Sequence, residues 1–278
     1  MLDRYIIAFF IYSFFGYLCE VTYCSIPKKR FVNRGFLYGP YLPIYGFGGL
    51  IVIIFLEPLN SYPVLVFILA LLLTSILEYF TSWLLEKLFS VKLWDYSKHR
   101  VNINGRVCLL NSTLFGIMGI VLEYIVNPVV SSLIDKIPDA AIHTVSLGIV
   151  SLVAVDTTLS VMKMIHFREG LKRIREMRAE LNDKLKVLYG EGKAELADEL
   201  KKRLEENLEK YRIDFRKRYS RIVKANPSIT ARNEEIKAQI AIYTDWLEER
   251  RELRKKYKND LKKIDDEHLD MVRKSKHD

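Results

Sequence analysis

Glu20, Glu78 and Asp156 each stand about 15 residues into a long apolar run, at 5–26, 63–87 and 140–164. A charged group near the centre of a bilayer costs roughly 2.5–3.5 kcal/mol on insertion scales, so each of the three calls for a chemical reason. At one shared depth, three carboxylates suit a cation path, a proton relay or a headgroup pocket. The competing reading is structural pairing between neighbouring helices. Helical spacing gives each carboxylate company on its own face. Ser13, Gly16, Glu20 and Cys24 form one stripe, Thr74, Glu78, Ser82 and Glu86 a second, and Asp156, Ser160 and Lys163 a third. Glu86 and Lys163 are long enough to reach the membrane boundary, which favours pairing for them.

A second set lies around a break in the apolar pattern. Gly35, Gly39, Pro40, Pro43 and Gly46 interrupt the run at 36–58, leaving an uninterrupted stretch of 15 residues from Ile44 to Pro58. That is ~22 Å of helix, short for a span. The segment carrying Arg34, Tyr38 and Tyr45 is therefore a lead-in loop or a Pro-kinked helix. Non-helical backbone at that depth must be covered by protein or line a water-filled cavity. Asp95, Asn102, Asn104, Arg106 and Asn111 approach the same side as Arg34. Arginines with amide side chains suit phosphate or an anionic headgroup. Anchoring by basic residues and by an aromatic belt at Trp94 and Tyr96 accounts for the charges, but not for the asparagines.

The elements that hold these residues follow from composition. Residues 1–165 contain only 12 Lys+Arg and 10 Asp+Glu, against 31 and 24 in residues 166–278. Five apolar segments, at 5–26, 36–58, 63–87, 107–127 and 140–164, approach the ~20 residues that a spanning helix takes. The expectation is an all-α polytopic membrane protein, a transmembrane domain at 1–165 and a charged, coiled-coil-like helical tail at 166–278. This excludes a single soluble globular domain, and three cysteines in or beside apolar runs exclude a disulfide scaffold. The start, Met1-Leu2-Asp3-Arg4, has no positive excess, so the first segment reads as a retained helix. Basic residues crowd the loops after the first and third segments, which predicts an outside N-terminus and a cytoplasmic tail in the plasma membrane.

The stretch 33–46, Glu78-Tyr79 through Glu86-Lys87-Leu88-Phe89, Trp94-Asp95-Tyr96-Ser97 and Asn102-Ile103-Asn104-Gly105-Arg106 together resemble the ABC-transporter type IV family of bacterial membrane proteins. The resemblance covers roughly residues 1–165 and implies a permease. Leu42 stands where the family pattern Gly-Pro-x-Cys-Pro-Ile-Tyr-Gly has a cysteine.

No P-loop occurs, so a permease of this kind needs its ATPase on another polypeptide. No zinc-type His or Cys spacing, serine elbow or cofactor motif is present, and no catalytic residue is assigned. In the tail, Phe167, Leu171, Ile174, Leu181, Leu185 and Leu188 form one seam, broken at Gly190-Glu191-Gly192. Leu196 through Ile222 form another, broken at Asn226-Pro227-Ser228, with Ser228 as the N-cap of a third helix from about Ile229 past Leu261. Interleaved charge argues for solvated helix faces rather than nucleic acid, with attraction to anionic lipid secondary.

The leading expectation is a permease-like subunit with a cytoplasm-facing polar cavity for a small solute or lipid headgroup, lined by Glu20, Arg34, Tyr38, Tyr45, Glu78, Asp95, Asn102, Asn104, Arg106, Asn111 and Asp156. Five spans are few for a complete permease, so a homo-oligomer or a helical partner bound through 166–278 is expected. Two alternatives stand beside it. One is a membrane enzyme on lipid or lipid-linked substrate, with Arg34 and Arg106 on phosphate and Glu20, Glu78 or Asp95 as general base. The other is a scaffold acting through its tail.

Overall fold

The computed structural model describes residues 1–253 and 256, except 30, 232, 233 and 235. The expectation for Leu261 lies outside these residues. Helices dominate, as the apolar patterning requires. Those spanning the apolar half are α1 (Leu2–Lys28), α2 (Pro43–Leu56), α3 (Pro63–Phe89), α4 (Leu109–Val121), α5 (Asn127–Asp135) and α6 (Asp139–Gly190). A two-stranded hairpin, β1 (Asn102–Ile103) and β2 (Val107–Cys108), lies between α3 and α4. The tail continues with α7 (Ala194–Ala225) and a helical stretch at 236–253, α8.

Among the described residues, four helices are long and apolar enough to cross a membrane: Leu2–Ile26, Pro63–Phe89, Leu109–Asp135 and Asp139–Gly190. The third of these joins α4 to α5 through a π-helical turn, Leu122–Val126. The apolar segment expected at 107–127 does not end there: the helix continues through Pro128 to Asp135. A proline cannot donate to the carbonyl four residues back, and the widened turn absorbs that missing bond.

The apolar helix at Pro43–Leu59 is shorter. Pro43 sits at its first turn, where a missing N–H is harmless. Before it, residues 31–42 are not helical. Several of their backbone groups nonetheless find partners. Leu42 N–H donates to the Ser13 carbonyl at 2.9 Å, Val32 N–H to Ser25 Oγ at 3.0 Å, and Arg221 donates to the Leu37 carbonyl. Of the two alternatives for this segment, the structure adopts the lead-in loop, with Val32, Leu37, Tyr41 and Leu42 buried. Gly35 there has φ 137°, a conformation that residues with a Cβ rarely adopt.

Small residues set the helix spacing. Gly116 and Gly119 on α4 lie against Phe67, Leu71 and Ala70 of α3, while Gly16 of α1 lies against Tyr45 of α2. A Cβ at Gly119 would overlap that of Ala70, so close packing of these two helices requires glycine there.

The 52 residues of α6 run ~78 Å, crossing position 165 without a break. Its second half pairs with α7, and Phe167 stacks on Phe215 with ring centroids 5.4 Å apart. Tyr243 of α8 donates to the Arg216 carbonyl. Phe89, Val91 and Leu93, which follow or end α3, are buried in this same core with Met164, Phe167 and Ile229. The tail is thus docked on the loop after α3. Residue 230 pairs with 92 as extended backbone: Lys92 N–H reaches the Thr230 carbonyl at 2.8 Å, and Thr230 N–H the Lys92 carbonyl at 2.9 Å. Ile229 therefore lies in an extended segment rather than starting a helix, and Ser228 does not cap one.

Candidate functional site

Helices α1, α2, α3 and α4 surround a cavity of about 450 Å³ at the tail-proximal end of the membrane part. Its walls are mostly apolar or aromatic, including Phe36, Ile44, Leu85, Trp94 and Phe115. Three charged side chains face it: Glu20 from α1, Arg34 from the lead-in loop and Glu78 from α3.

Glu20 is held at both oxygens. Arg34 Nε donates to Oε1 at 2.9 Å, and the Tyr45 hydroxyl donates to Oε2 at 2.7 Å. Burial works against the charge on Arg34, but the adjacent Glu20 outweighs it and holds the guanidinium above its ordinary value. Arg34 also donates to the Ala225 carbonyl at 3.3 Å, at the end of α7.

Glu78 is 3% exposed. Its Oε1 accepts the Tyr96 hydroxyl at 3.0 Å, while its Oε2 has no hydrogen-bond partner among the described residues. Burial pushes the Tyr96 hydroxyl well above its usual range, reinforced by Glu78 and Glu20, so Tyr96 remains a donor.

The cavity opens sideways. Helix α1 packs on α2 and α4 packs on α3, leaving α1 and α4 on either side of a gap. Cys19 and Tyr23 on α1, with Leu114 and Ile117 on α4, line the cavity and keep much of their surface exposed. Asn226, just after α7, lines the tail side. A narrower apolar extension of about 220 Å³ continues away from the tail, past Gly16, Gly48 and Gly49 toward Val126.

Of the residues singled out from sequence, Glu20, Arg34, Tyr45, Glu78 and Asn111 meet in this cavity. The others are placed elsewhere. Asp156 grips the lead-in loop: Oδ1 accepts Tyr38 N–H at 2.8 Å and the Ser160 hydroxyl at 3.1 Å, and Oδ2 accepts Gly39 N–H at 2.8 Å and the Tyr41 hydroxyl at 2.7 Å. The Tyr38 ring lies under Arg221, 3.9 Å from its centroid. Arg106 is 2% exposed, with Nη2 2.7 Å from Glu86 Oε2, so it faces α3 instead of the cavity. Asp95 accepts Ser97 N–H at 3.1 Å within its own turn.

Asn102 and Asn104 shape the hairpin. Asn102 Oδ1 accepts Gly105 N–H at 2.9 Å, and Asn104 donates to the Tyr79 hydroxyl at 3.0 Å. Asn104 and Gly105 both have positive φ, 53° and 66°, the signature of a primed hairpin turn. Two cavity residues carry less obvious sequence signals. Tyr96 looks like part of an interfacial belt yet points inward, and Asn226 reads as a helix breaker in the tail.

Residues 7–161 match the sequence profile of a family described as "Putative ABC-transporter type IV". No curated protein and no solved structure is significantly similar to the chain.

Proposed function

We propose, for a chain that belongs to the Putative ABC-transporter type IV family, a permease-like membrane subunit whose cavity between α1, α2, α3 and α4 receives the polar end of a solute or lipid. One observation carries this reading: two glutamates, an arginine and two tyrosine hydroxyls converge on a cavity whose other walls are mostly apolar or aromatic. Such a combination matches a ligand fixed by a few polar groups and enclosed by hydrophobic ones. Because no P-loop occurs in the sequence, the energy for transport comes from a separate ATPase.

In this reading the chain lies in the plasma membrane with its N-terminus outside, following the basic loops. Residues 1–165 hold the cavity and 166–278 lie in the cytoplasm, where α7 and α8 offer helical surfaces to a partner or a second copy. Anionic lipid beside the basic loops is a secondary contact.

The test is extraction of the tagged full-length chain from its native membrane into lipid nanodiscs, with proteomics and an ATPase assay. A stoichiometric ATPase subunit whose hydrolysis depends on this chain is the expected result. A chain recovered without any ATPase, and inert toward every ATPase of the same cell, would overturn the permease reading.

A further inference from the structure

The charges around the cavity do not balance. Among its described lining residues Glu20 and Glu78 are acidic and Arg34 is basic. Arg34 is committed to Glu20 at 2.9 Å and to the Ala225 carbonyl. No cation among the described residues is paired with Glu78. Among the described residues its hydrogen-bond partner is a neutral hydroxyl, from Tyr96, and its second oxygen is buried without one, while Glu78 as a residue lines both the cavity and its apolar extension. A buried carboxylate with an unmet acceptor is costly unless a cation or a proton joins it. The surrounding rings bear on which one: Tyr45, Trp94, Tyr96 and Phe115 all line the same space. Aromatic faces attract a cation and gain nothing from a proton that stays on the carboxyl. Arg106, the group best suited to phosphate, is sequestered by Glu86.

Resting on the function proposed above, we infer that the ligand of this cavity is a cationic amine attached to an apolar chain, with the ammonium group between Glu78 and the aromatic rings. The apolar part follows from the shape. The cavity opens through the gap flanked by Cys19 and Tyr23 on one side and Leu114 and Ile117 on the other. An amphiphile can enter there from the bilayer without crossing water. The Asn226 side is covered by the end of α7, tied down through Arg34. A head that must be drawn past apolar walls benefits most from a weakly hydrated cation, which sheds water at lower cost than a phosphate or a carboxylate.

The test uses the full-length chain in neutral-lipid nanodiscs with radiolabelled dodecyltrimethylammonium as the probe, and empty nanodiscs to subtract simple partitioning. Saturable binding of one probe per chain is expected. It should be displaced by unlabelled alkylammonium but not by dodecyl phosphate or dodecyl maltoside. Glu78→Gln, which keeps the shape and removes the charge, should weaken binding by about tenfold or more, as loss of a buried charge contact does. Tyr96→Phe should weaken it less.

Displacement by dodecyl phosphate or maltoside as effective as by alkylammonium would overturn the amine assignment while leaving the cavity as a lipid site. Binding of the same strength in a folded Glu78→Gln chain would also overturn it. Should Glu78→Gln fail to fold, the displacement series on the unaltered chain still decides. Absence of saturable binding for all three head groups would remove the cavity reading itself, and ATPase association would then have to stand alone.

Discussion

Replacing Arg106 by alanine is expected to cost the fold about 3–5 kcal/mol, because it strands Glu86 in a buried site. The guanidinium is 2% exposed, 2.7 Å from Glu86 Oε2, and 5.5 Å from the centre of the Tyr79 ring. Removing Arg106 takes away the ion-pair partner of a buried carboxylate. Removing both is different. The double change Arg106→Met with Glu86→Leu fills a similar volume with apolar atoms and should return stability to within about 1 kcal/mol of the native chain. Thermal unfolding of the three chains in one detergent checks both statements. If Arg106→Ala melted like the native chain but lost ligand, the arginine would be a binding group and its placement against α3 would be irrelevant to function.

The second large effect is at Asp156. Its carboxylate accepts from two backbone N–H groups and two hydroxyls, and these bonds hold residues 38–41 against α6. Asparagine at this position keeps the shape but has one acceptor oxygen, and its amide group would face donors. At least two donors lose their partner, a loss of roughly 3 kcal/mol at the usual cost per charged hydrogen bond. The damage should be local first. Since Tyr45 and Arg34 both lie at the ends of this loop, Asp156→Asn is expected to loosen the cavity wall before global unfolding. Hydrogen exchange should show faster exchange at Tyr38 and Gly39 than in the native chain, together with a lower melting temperature. Unchanged protection at those two amides would contradict the clamp.

These expectations mark where reading the residues succeeds and where it stops. Hydropathy makes the long helices legible because a bilayer imposes one length on all of them. The broken second span is legible too, since Gly35 and Pro43 leave no room for continuous helix. Position along a helix is also readable: Glu20, Glu78 and Asp156 each stand about 15 residues into their apolar runs. Azimuth is not. Glu20 and Glu78 turn to one cavity while Asp156 turns to the lead-in loop, and that difference is created by how α6 packs, which no spacing within α6 records. Asn102 and Asn104 suit a polar site by type, yet Asn104-Gly105 is equally a turn signal, and turn geometry is what they serve. The contributions of Asn226 and Thr230 are the least legible. They come from more than 60 residues beyond the last apolar segment and depend on the tail folding back over the loop after α3.

That fold-back has a consequence for the candidate site. The cavity is framed by the membrane helices, but Asn226, just after α7, lines its tail side, and Arg34 of its wall donates to the Ala225 carbonyl. Under the proposed function, movement of the tail would move this side of the cavity, so an ATPase acting on the tail would have a physical route to the ligand.

The central claim, that the cavity of Glu20 and Glu78 is a ligand site, is tested most directly by native mass spectrometry of the chain released from its own membrane. The comparison is between the native chain and the double variant Glu20→Gln with Glu78→Gln. The account predicts a single small-molecule adduct on the native chain that the folded double variant has lost. The same adduct on both chains, or a bare native chain, would contradict it.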